Sequence, residues 1–481
     1  MPAKLLSMDS VRTRSQLERT ALRVADELRE RGVRPGDRVV LKAGNSAGFV
    51  AVLLGLMHRG ASVALLDQRQ RAEESGRAAA QAGARLAIVD DDAPPVPGPR
   101  RLYVYELLAA AAERRPADER IAFDGWEALP DALITWSSGS TGEPKGIVKS
   151  GRPVLRNVRR TIAVMGYRPD DVLLPLLPFS HQYGLSLLLA AWLAEASLVV
   201  APYRRLDRAV RMAGQAGVTV VDATPATHRS LLNLVERRPE LALDLGGVRM
   251  YCTGGAPLDR TAADRFAKTF QLPLLDGYGS TEMGNIAAAT PRNPVGAGRV
   301  FPGVEVLITD DDAAPLPPGA IGELRIRTPD SFSGYLGPAG EVVPESPEWY
   351  RPGDLGSMDG AGNLFVLGRK SAVHRMGYTL YPDIIERKAA ECGAPLKIVP
   401  LPDERFGSRL VFLVEDSEGR TPLYWRERVC ALLPSYEQPN TVVVVEEFPL
   451  DHNGKTDPRR LLKLAEAAVD ERNETADTLS L

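Results

Sequence analysis

Cysteine is nearly absent from this sequence: Cys252, Cys392 and Cys430 are the only three in 481 residues, and no two form a CxxC pair. So odd and scattered a set offers no disulfide framework and no cysteine zinc site, and it fits a reducing cytoplasm. Excess positive charge is missing too. Lys plus Arg total 59 against 62 for Asp plus Glu, a net charge of −3. A general nucleic-acid binder needs a basic surface to displace counterions from phosphate, so that class is excluded. The N-terminal MPAKLLSMDSVRTRSQLER lacks the apolar core of a signal peptide. The one membrane-like stretch, Leu185 to Pro202, carries Glu195 and reads as a buried helix and strand, not a membrane span. No repeat or low-complexity block is present.

What is there is ordinary globular material, 44% hydrophobic and 25% charged, in a length that suggests about two to four domains. Gln16 to Arg31 reads as an amphipathic helix, and Gly48 to His58 as a second. Between and after them, apolar runs bounded by Gly, Pro or Asp (RLAIVD, ALITWSS, DVLLPLL, ASLVVAP, VTVVDAT, VRMYCTGG) alternate with helical stretches, as in strands buried on both faces of an α/β sheet. From about Val295 the texture turns to shorter antiparallel strands and turns. Residues 380–465 hold a further small α/β set, and the polar tail after Lys463 is expected to fray. The cut between a large and a small domain falls near Gly368–Ser371.

The strongest local signal is SSGSTGEPKG, Ser137 to Gly146, directly after the apolar ALITW. Glycines and small residues let backbone N–H groups turn inward around a polyphosphate, while hydroxyls and Lys145 add donors and charge. A Walker A loop, GxxxxGK[ST], is absent.

This segment resembles the phosphate loop of the adenylate-forming enzymes, the superfamily of acyl-CoA and aryl-CoA synthetases, non-ribosomal peptide synthetase adenylation domains and firefly luciferase. The other family motifs follow in the family's order. LLPLLPFSHQYGLS resembles the segment beside the acyl pocket, which implies His181, Tyr183 and Gly184 there. YCTGGAPLD resembles the adenine-binding turn, carried onto Gly254, Gly255, Ala256 and Pro257. DGYGSTEMG resembles the YGxTE motif: Asp276, Gly277, Gly279 and Ser280 would line the nucleotide, Tyr278 would stack on adenine, and Gly279 and Ser280 would also border the acyl group. In the same motif Thr281 would contact the α-phosphate and Glu282 would help hold Mg²⁺. YRPGDLG resembles the motif whose aspartate, here Asp354, would accept hydrogen bonds from both ribose hydroxyls. GRKSAVHRMGYTLYPDIIE resembles the hinge, with Arg369 near the nucleotide and Lys370 and Ser371 at the pivot. Ser371 stands where the family usually has aspartate, and Gly377 lies eight positions after Arg369 instead of nine. PLDHNGKTDPRRL resembles the terminal motif that delivers the catalytic lysine, Lys455. In the phosphate loop the resemblance assigns Ser137, Ser138, Gly139, Ser140, Thr141, Gly142 and Lys145 to the nucleotide.

The resemblance implies an α/β fold: a large N-terminal domain of two layered α/β sheets plus a small antiparallel barrel-like subdomain (residues 1–368), then a small mobile α+β C-terminal domain (residues 369–481). It implies an AMP-forming acid–thiol ligase, with Lys455, Glu282, Thr281 and His181 as its catalytic residues and with ATP, Mg²⁺, and CoA or phosphopantetheine as acceptor. The expected partners are a small carboxylic acid and a separate acyl or peptidyl carrier protein, with no nucleic acid and no membrane span; the expected location is cytoplasmic. The chemistry is intelligible without the name. A carboxylate is a poor electrophile, and joining it to the α-phosphate of ATP requires two anions to be held together while charge spreads over phosphoryl oxygens. The alternatives are a free-standing adenylation enzyme loading a β- or other amino acid onto a carrier, an amide-forming acyl-adenylate ligase, and a retired nucleotide-binding protein. Intact Lys455, Glu282 and Asp354 argue against the last. Amino-acid-activating domains usually place aspartate after the phenylalanine that here is Phe179; Ser180-His181 follows instead, which disfavours an α-amino acid. Asp222 reads as a strand-end turn residue, with binding of a more distant amine as the other reading. Cys252 reads as buried packing.

Overall fold

The structure is a computed structural model that describes residues 3–137, 145–258, 260–345, 347–371, 373–375, 378–403, 407–451 and 454–478. The chain divides into two compact units: Met1–Gly255, Thr269–Val306 and Ile326–Tyr350 form the first, and Ala256–Lys268, Leu307–Arg325 and Arg351–Leu481 the second.

The first unit is built on two large sheets. One runs in the order Arg299–Val300, Gly284–Ala288, Leu274–Ser280, Met250–Gly254, Val220–Ala223, Val172–Pro175, Ser197–Val200, Lys4–Ser7, Val11–Thr13. Its centre is parallel. The other runs Val342–Pro344, Gly334–Leu336, Lys145–Lys149, Leu133–Ser137, Ser62–Leu66, Arg38–Lys42, Leu86–Val89, Arg100–Tyr103, again parallel except at the Val342 side. Strands this buried tolerate the continuous apolar runs seen in the sequence, because helices cover both faces.

Helix Arg14–Glu30 starts two residues before its expected first residue. Thr13 caps it: the hydroxyl accepts from the Gln16 N–H at 3.2 Å, and Gln16 Oε1 accepts from the Thr13 N–H at 2.8 Å. Helix Ala47–His58 is likewise capped by Ser46. Together with helix Gln182–Leu193 they share one core with the sheets, through residues such as Val24, Phe49, Leu53, Val63, Leu188 and Leu198. The membrane-like stretch resolves into that third helix and the strand Ser197–Val200. Among the described residues no helix is long and apolar enough to cross a membrane.

A four-stranded sheet runs Glu305–Thr309, Gly322–Arg327, Asp354–Met358, Leu364–Arg369, the antiparallel texture expected after Val295, and the second unit holds residues 307–309 and 322–325 and the last two strands of it. Its α+β part is the three-stranded sheet Leu396–Asp403, Gly407–Glu415, Thr441–Val445. Helices Pro382–Ala389 and Pro422–Cys430 cover one face through Ile385, Trp425 and Val429, and helix Pro458–Thr478 covers the other through Leu461 and Ala465.

Candidate active site

Two groups of expected site residues come together within the first unit. Strands Met250–Gly254 and Leu274–Ser280 run side by side with Gly254 opposite Gly277 and Thr253 opposite Asp276. The adenine turn and the YGxTE motif therefore meet at one sheet end, where parallel α/β folds place their ligands. A Cβ on Gly254 would lie 3.5 Å from the Tyr183 ring, so the expected acyl-pocket tyrosine faces the same spot. His181 is the N-cap residue of helix Gln182–Leu193 and is half-buried. The loop before it is clamped by Asn45, whose amide donates to the Leu177 carbonyl at 2.7 Å and accepts from the Phe179 N–H at 2.8 Å. Gly184 is a packing necessity: a Cβ there would sit 2.1 Å from the Pro178 carbonyl oxygen. Gly279 is constrained in the same way, its Cβ position being 2.6 Å from the Gly284 oxygen. The Ser280 hydroxyl accepts from the Met283 N–H at 3.1 Å and holds the Thr281–Met283 turn. Gly255 is exposed with φ +80°, whereas Ala256 and Pro257 fall in the second compact unit.

Asp222 is not the turn residue the sequence suggested. It lies inside the strand Val220–Ala223, paired in register with Cys252 on one side and Pro175 on the other, and is 2% exposed. The Tyr183 hydroxyl donates to its Oδ1 at 2.9 Å, and Oδ2 is buried without a protein partner. Burial pushes its pKa up to about 7, with the Tyr183 bond pulling back. Cys252 is buried, as expected, and burial raises its thiol well above the ordinary range. A consequence is testable. A carboxyl with a folded pKa near 7 binds its proton more tightly than in the unfolded chain, where about 3.9 applies, so its contribution to stability is present below the unfolded pKa and lost as pH rises through the folded one. Asp222→Asn cannot ionise. Its melting midpoint relative to wild type should therefore rise between about pH 5 and about pH 8, by the equivalent of a few kcal/mol, roughly. A difference that does not change with pH would remove this titration.

The second group surrounds Glu282. Strands Leu133–Ser137 and Lys145–Lys149 form an antiparallel pair with Ser137 opposite Lys145, which brings those two residues of SSGSTGEPKG side by side. Ser138, Gly139, Ser140, Thr141 and Gly142 lie outside the described residues. Lys145 is exposed, its ammonium 5.4 Å from the Tyr335 ring centroid. Glu282, half-buried beside Thr281 in the turn, accepts the Phe332 N–H on its backbone carbonyl at 2.9 Å. The phenols of Tyr335 and Tyr350 are raised above their ordinary pKa, first by burial, and the Glu282 charge pushes the same way. Lys149 is 1% exposed and pushed down to about 8 by burial, against the pull of the Asp330 and Glu282 carboxylates. Asp330, fully buried, takes hydrogen bonds from Arg156 at 2.6 Å, Asn157 at 3.2 Å and Arg160 at 2.5 Å. Asn157 in turn binds both the N–H and the carbonyl of Asn285. Sequence reasoning missed Lys149, Asp330, Tyr335 and Tyr350. A signal existed for one of them, since Tyr350 opens the YRPGDLG segment from which only Asp354 was taken.

The second unit carries the remaining expected residues. Asp354 and Arg369 are opposite in register, and the Arg369 Nε lies 3.3 Å from Asp354 Oδ1. Lys370 is anchored by Asp311 at 2.8 Å and Glu323 at 3.1 Å, which raise its pKa, while Ser371 is exposed. Buried Glu323, also missed, binds Arg351 as well, at 3.1 and 2.6 Å. It thus joins the YRPGD and GRK segments and is held below the usual carboxylate range, chiefly by Arg351. Lys455 sits in a turn closed by Asp451, whose side chain accepts from the Lys455 N–H at 2.9 Å. Although its surface meets water, crowding around the ammonium lowers its pKa, as does Arg369, against the carboxylates of Asp451 and Asp354.

Residues 5–336 match the profile described as AMP-binding enzyme. The chain belongs to this family. Among the relatives of this AMP-binding enzyme, the fatty acid–[acyl-carrier-protein] ligase ScoC of Streptomyces coeruleorubidus is 28% identical over 93% of this chain and 91% of its own length. The indoleacetate–CoA ligase of Aromatoleum aromaticum is 31% identical over 77% and 73%. Among solved structures, ATP-bound MatB from Rhodopseudomonas palustris superposes with a TM-score of 0.85 at 24% identity, covering 96% of each chain, which establishes the fold. This AMP-binding enzyme is an AMP-forming acid–thiol ligase with a large N-terminal and a small C-terminal domain.

Proposed function

We propose that this AMP-binding enzyme activates a small carboxylic acid without an α-ammonium group, using ATP and Mg²⁺ in the cytoplasm. The observation that carries the reading is the register of Gly254 opposite Gly277, which sets the adenine-turn glycine beside the YGxTE segment at one sheet end. A carboxylate oxygen of the acid attacks the α-phosphorus, the bond to the bridging oxygen breaks, and pyrophosphate leaves. A thiol then attacks the carbonyl carbon of the acyl-AMP, AMP departs with its oxygen, and the thiol proton passes to solvent. The acceptor is CoA or the phosphopantetheine arm of a separate carrier protein. Lys455 offers its cation to the carboxylate and α-phosphate in the first step only. Asp354 receives the ribose hydroxyls, Tyr278 supports adenine, and Thr281 meets the α-phosphate. Among the described residues no cluster of three or more metal-binding side chains exists. One carboxylate together with phosphate oxygens and water is a donor set that suits Mg²⁺, so Glu282 is the residue that would hold it; the ion would draw charge from the phosphate oxygens. The division at residues 368 and 369, with rotation about Lys370 and Ser371 between the two steps, belongs to the same reading.

The acid's side is read from His181, Tyr183 and the segment after Phe179. An α-ammonium there meets no aspartate and would be desolvated unpaired, costing several kcal/mol, roughly. Aryl or short acyl carboxylates should therefore outcompete every proteinogenic α-amino acid in pyrophosphate release, assayed across a panel of acids with and without CoA. Asp222 favours one further group, acids with a β- or more distant amine, because its buried Oδ2 lacks a partner. A preference for an α-amino acid would overturn the assignment, and turnover that needs a carrier protein in place of CoA would decide the acceptor.

A further inference from the structure

We infer that Asp330 and Asn157 are positioning residues for the reaction: a buried carboxylate and the amide it orients, which together fix the turn carrying Thr281 and Glu282. The inference rests on the reading of those two residues as the groups that meet the α-phosphate and the metal ion. Asp330 is fully buried and Asn157 is 2% exposed. Asp330 Oδ1 accepts from Arg156 at 2.6 Å, and Oδ2 accepts from Arg160 at 2.5 Å and from the Asn157 amide at 3.2 Å. A carboxylate paired with two guanidiniums only accepts, so Asn157 must turn its NH2 toward it. The other amide hydrogen then goes to the Asn285 carbonyl at 2.9 Å, and Asn157 Oδ1 accepts from the Asn285 N–H at 2.9 Å. Both amide hydrogens are thereby used, and the flipped amide would set its oxygen against the carboxylate and the carbonyl.

That amide grips the far end of the turn. Asn285 lies three residues after Glu282, and Gly284, at φ +74°, is pressed onto Asn157: a Cβ there would lie 2.8 Å from the Asn157 Cγ and Oδ1. The near end is held by Ser280, whose hydroxyl accepts from the Met283 N–H. The middle is held from the segment that begins at Asp330, where Phe332 donates its N–H to the Glu282 carbonyl at 2.9 Å. Ser333 next donates to the Val148 carbonyl at 2.7 Å, which fastens this segment to the strand Lys145–Lys149. Met283 and Ile286, both buried, pack with Phe332 and Ile147 in one small core. Asp330 thus reaches the turn by two routes, through Asn157 to Asn285 and through Phe332 to Glu282, and both end on backbone. Such anchors set where the Thr281 and Glu282 side chains start, and a misplacement of about 1 Å made far from the chemistry can cost ~10²-fold in rate.

The test compares wild type with Asn157→Ala, Asp330→Asn, Thr161→Val and Glu282→Gln. Thr161 is the control: on the same helix, its hydroxyl accepts from the Asn285 side chain at 2.9 Å, so valine loosens the packing and leaves the backbone grip whole. Each variant is followed by thermal melting, by amide hydrogen exchange across residues 280–287, and by pyrophosphate release with the acid that wild type uses fastest. In Asn157→Ala exchange should speed up in that segment, and kcat should fall roughly ten- to a hundredfold while KM for the acid keeps its wild-type value. Thr161→Val should keep the wild-type kcat. Asp330→Asn strips two guanidiniums of their counter-charge and should act in the same direction as Asn157→Ala. Where it does not fold, Asn157→Ala, which keeps that ion pair, carries the result. Unchanged exchange or an unchanged kcat in Asn157→Ala, with Glu282→Gln having lost activity, would overturn the positioning role. An equal fall in Asn157→Ala and Thr161→Val would overturn it too, by assigning the effect to helix packing. Glu282→Gln at the wild-type rate would instead overturn the reading of the turn on which the inference rests.

Discussion

Lys455→Ala is expected to slow acyl-AMP formation by a hundredfold or more while transfer from supplied acyl-AMP to the thiol continues at close to the wild-type rate. Charge accumulates on the α-phosphoryl oxygens only while the carboxylate attacks, and a cation aimed at that charge lowers the barrier by about 3 kcal/mol or more. In the second step the phosphoryl group departs as part of AMP and Lys455 has no comparable task. The structure adds a signature in pH. Crowding and the neighbouring Arg369 lower the Lys455 pKa, so its ammonium loses its proton at a lower pH than a free lysine. Adenylation should fall on the alkaline side below the ordinary lysine range of about 10.4, with no matching fall in thioester formation from supplied acyl-AMP. Pyrophosphate release and single-turnover thioester formation separate the two steps. Near-normal adenylation by the alanine variant would remove Lys455 from the mechanism.

Asp354→Ala should raise the ATP requirement by about two to four orders of magnitude, since two ribose hydroxyls lose a charged acceptor at ~1.5–3 kcal/mol each. The acid specificity order should not change. The ion pair with Arg369 at 3.3 Å is also lost, but the Arg369 side chain is 67% exposed and remains hydrated, so that loss adds little. Measuring KM for ATP and for three or four acids separates the outcomes: a shifted acid preference at unchanged ATP affinity would put Asp354 in another pocket.

Both of these residues stand out in the sequence because each belongs to a short contiguous segment. PGDLG presents an aspartate at the start of a strand, and HNGKTD presents a lysine on a tight turn; glycine, proline and the charged residue arrive together in the chain. The same holds for the helices, whose starts are set by Thr13 and Ser46 next to the first turn they cap, and for the strands, whose unbroken apolar runs follow from burial on two faces.

Composition, element order, the phosphate-loop segment and the expected chemistry were thus determined by sequence alone, because each depends on neighbours a few positions apart. Asp222 shows where that stops. Its strand could be read from VTVVDAT, but its buried environment and its bond to Tyr183, 39 positions earlier, exist only once the helix Gln182–Leu193 is set beside the strand. Asp330 depends likewise on Arg156 and Arg160, and Glu323 on Arg351 and Lys370. Such pairings join side chains from separate elements, and their burial turns an ordinary polar residue into a shifted acid or a fixed ligand. Only the tertiary structure decides them, since local spacing carries no record of which distant element will exclude the water.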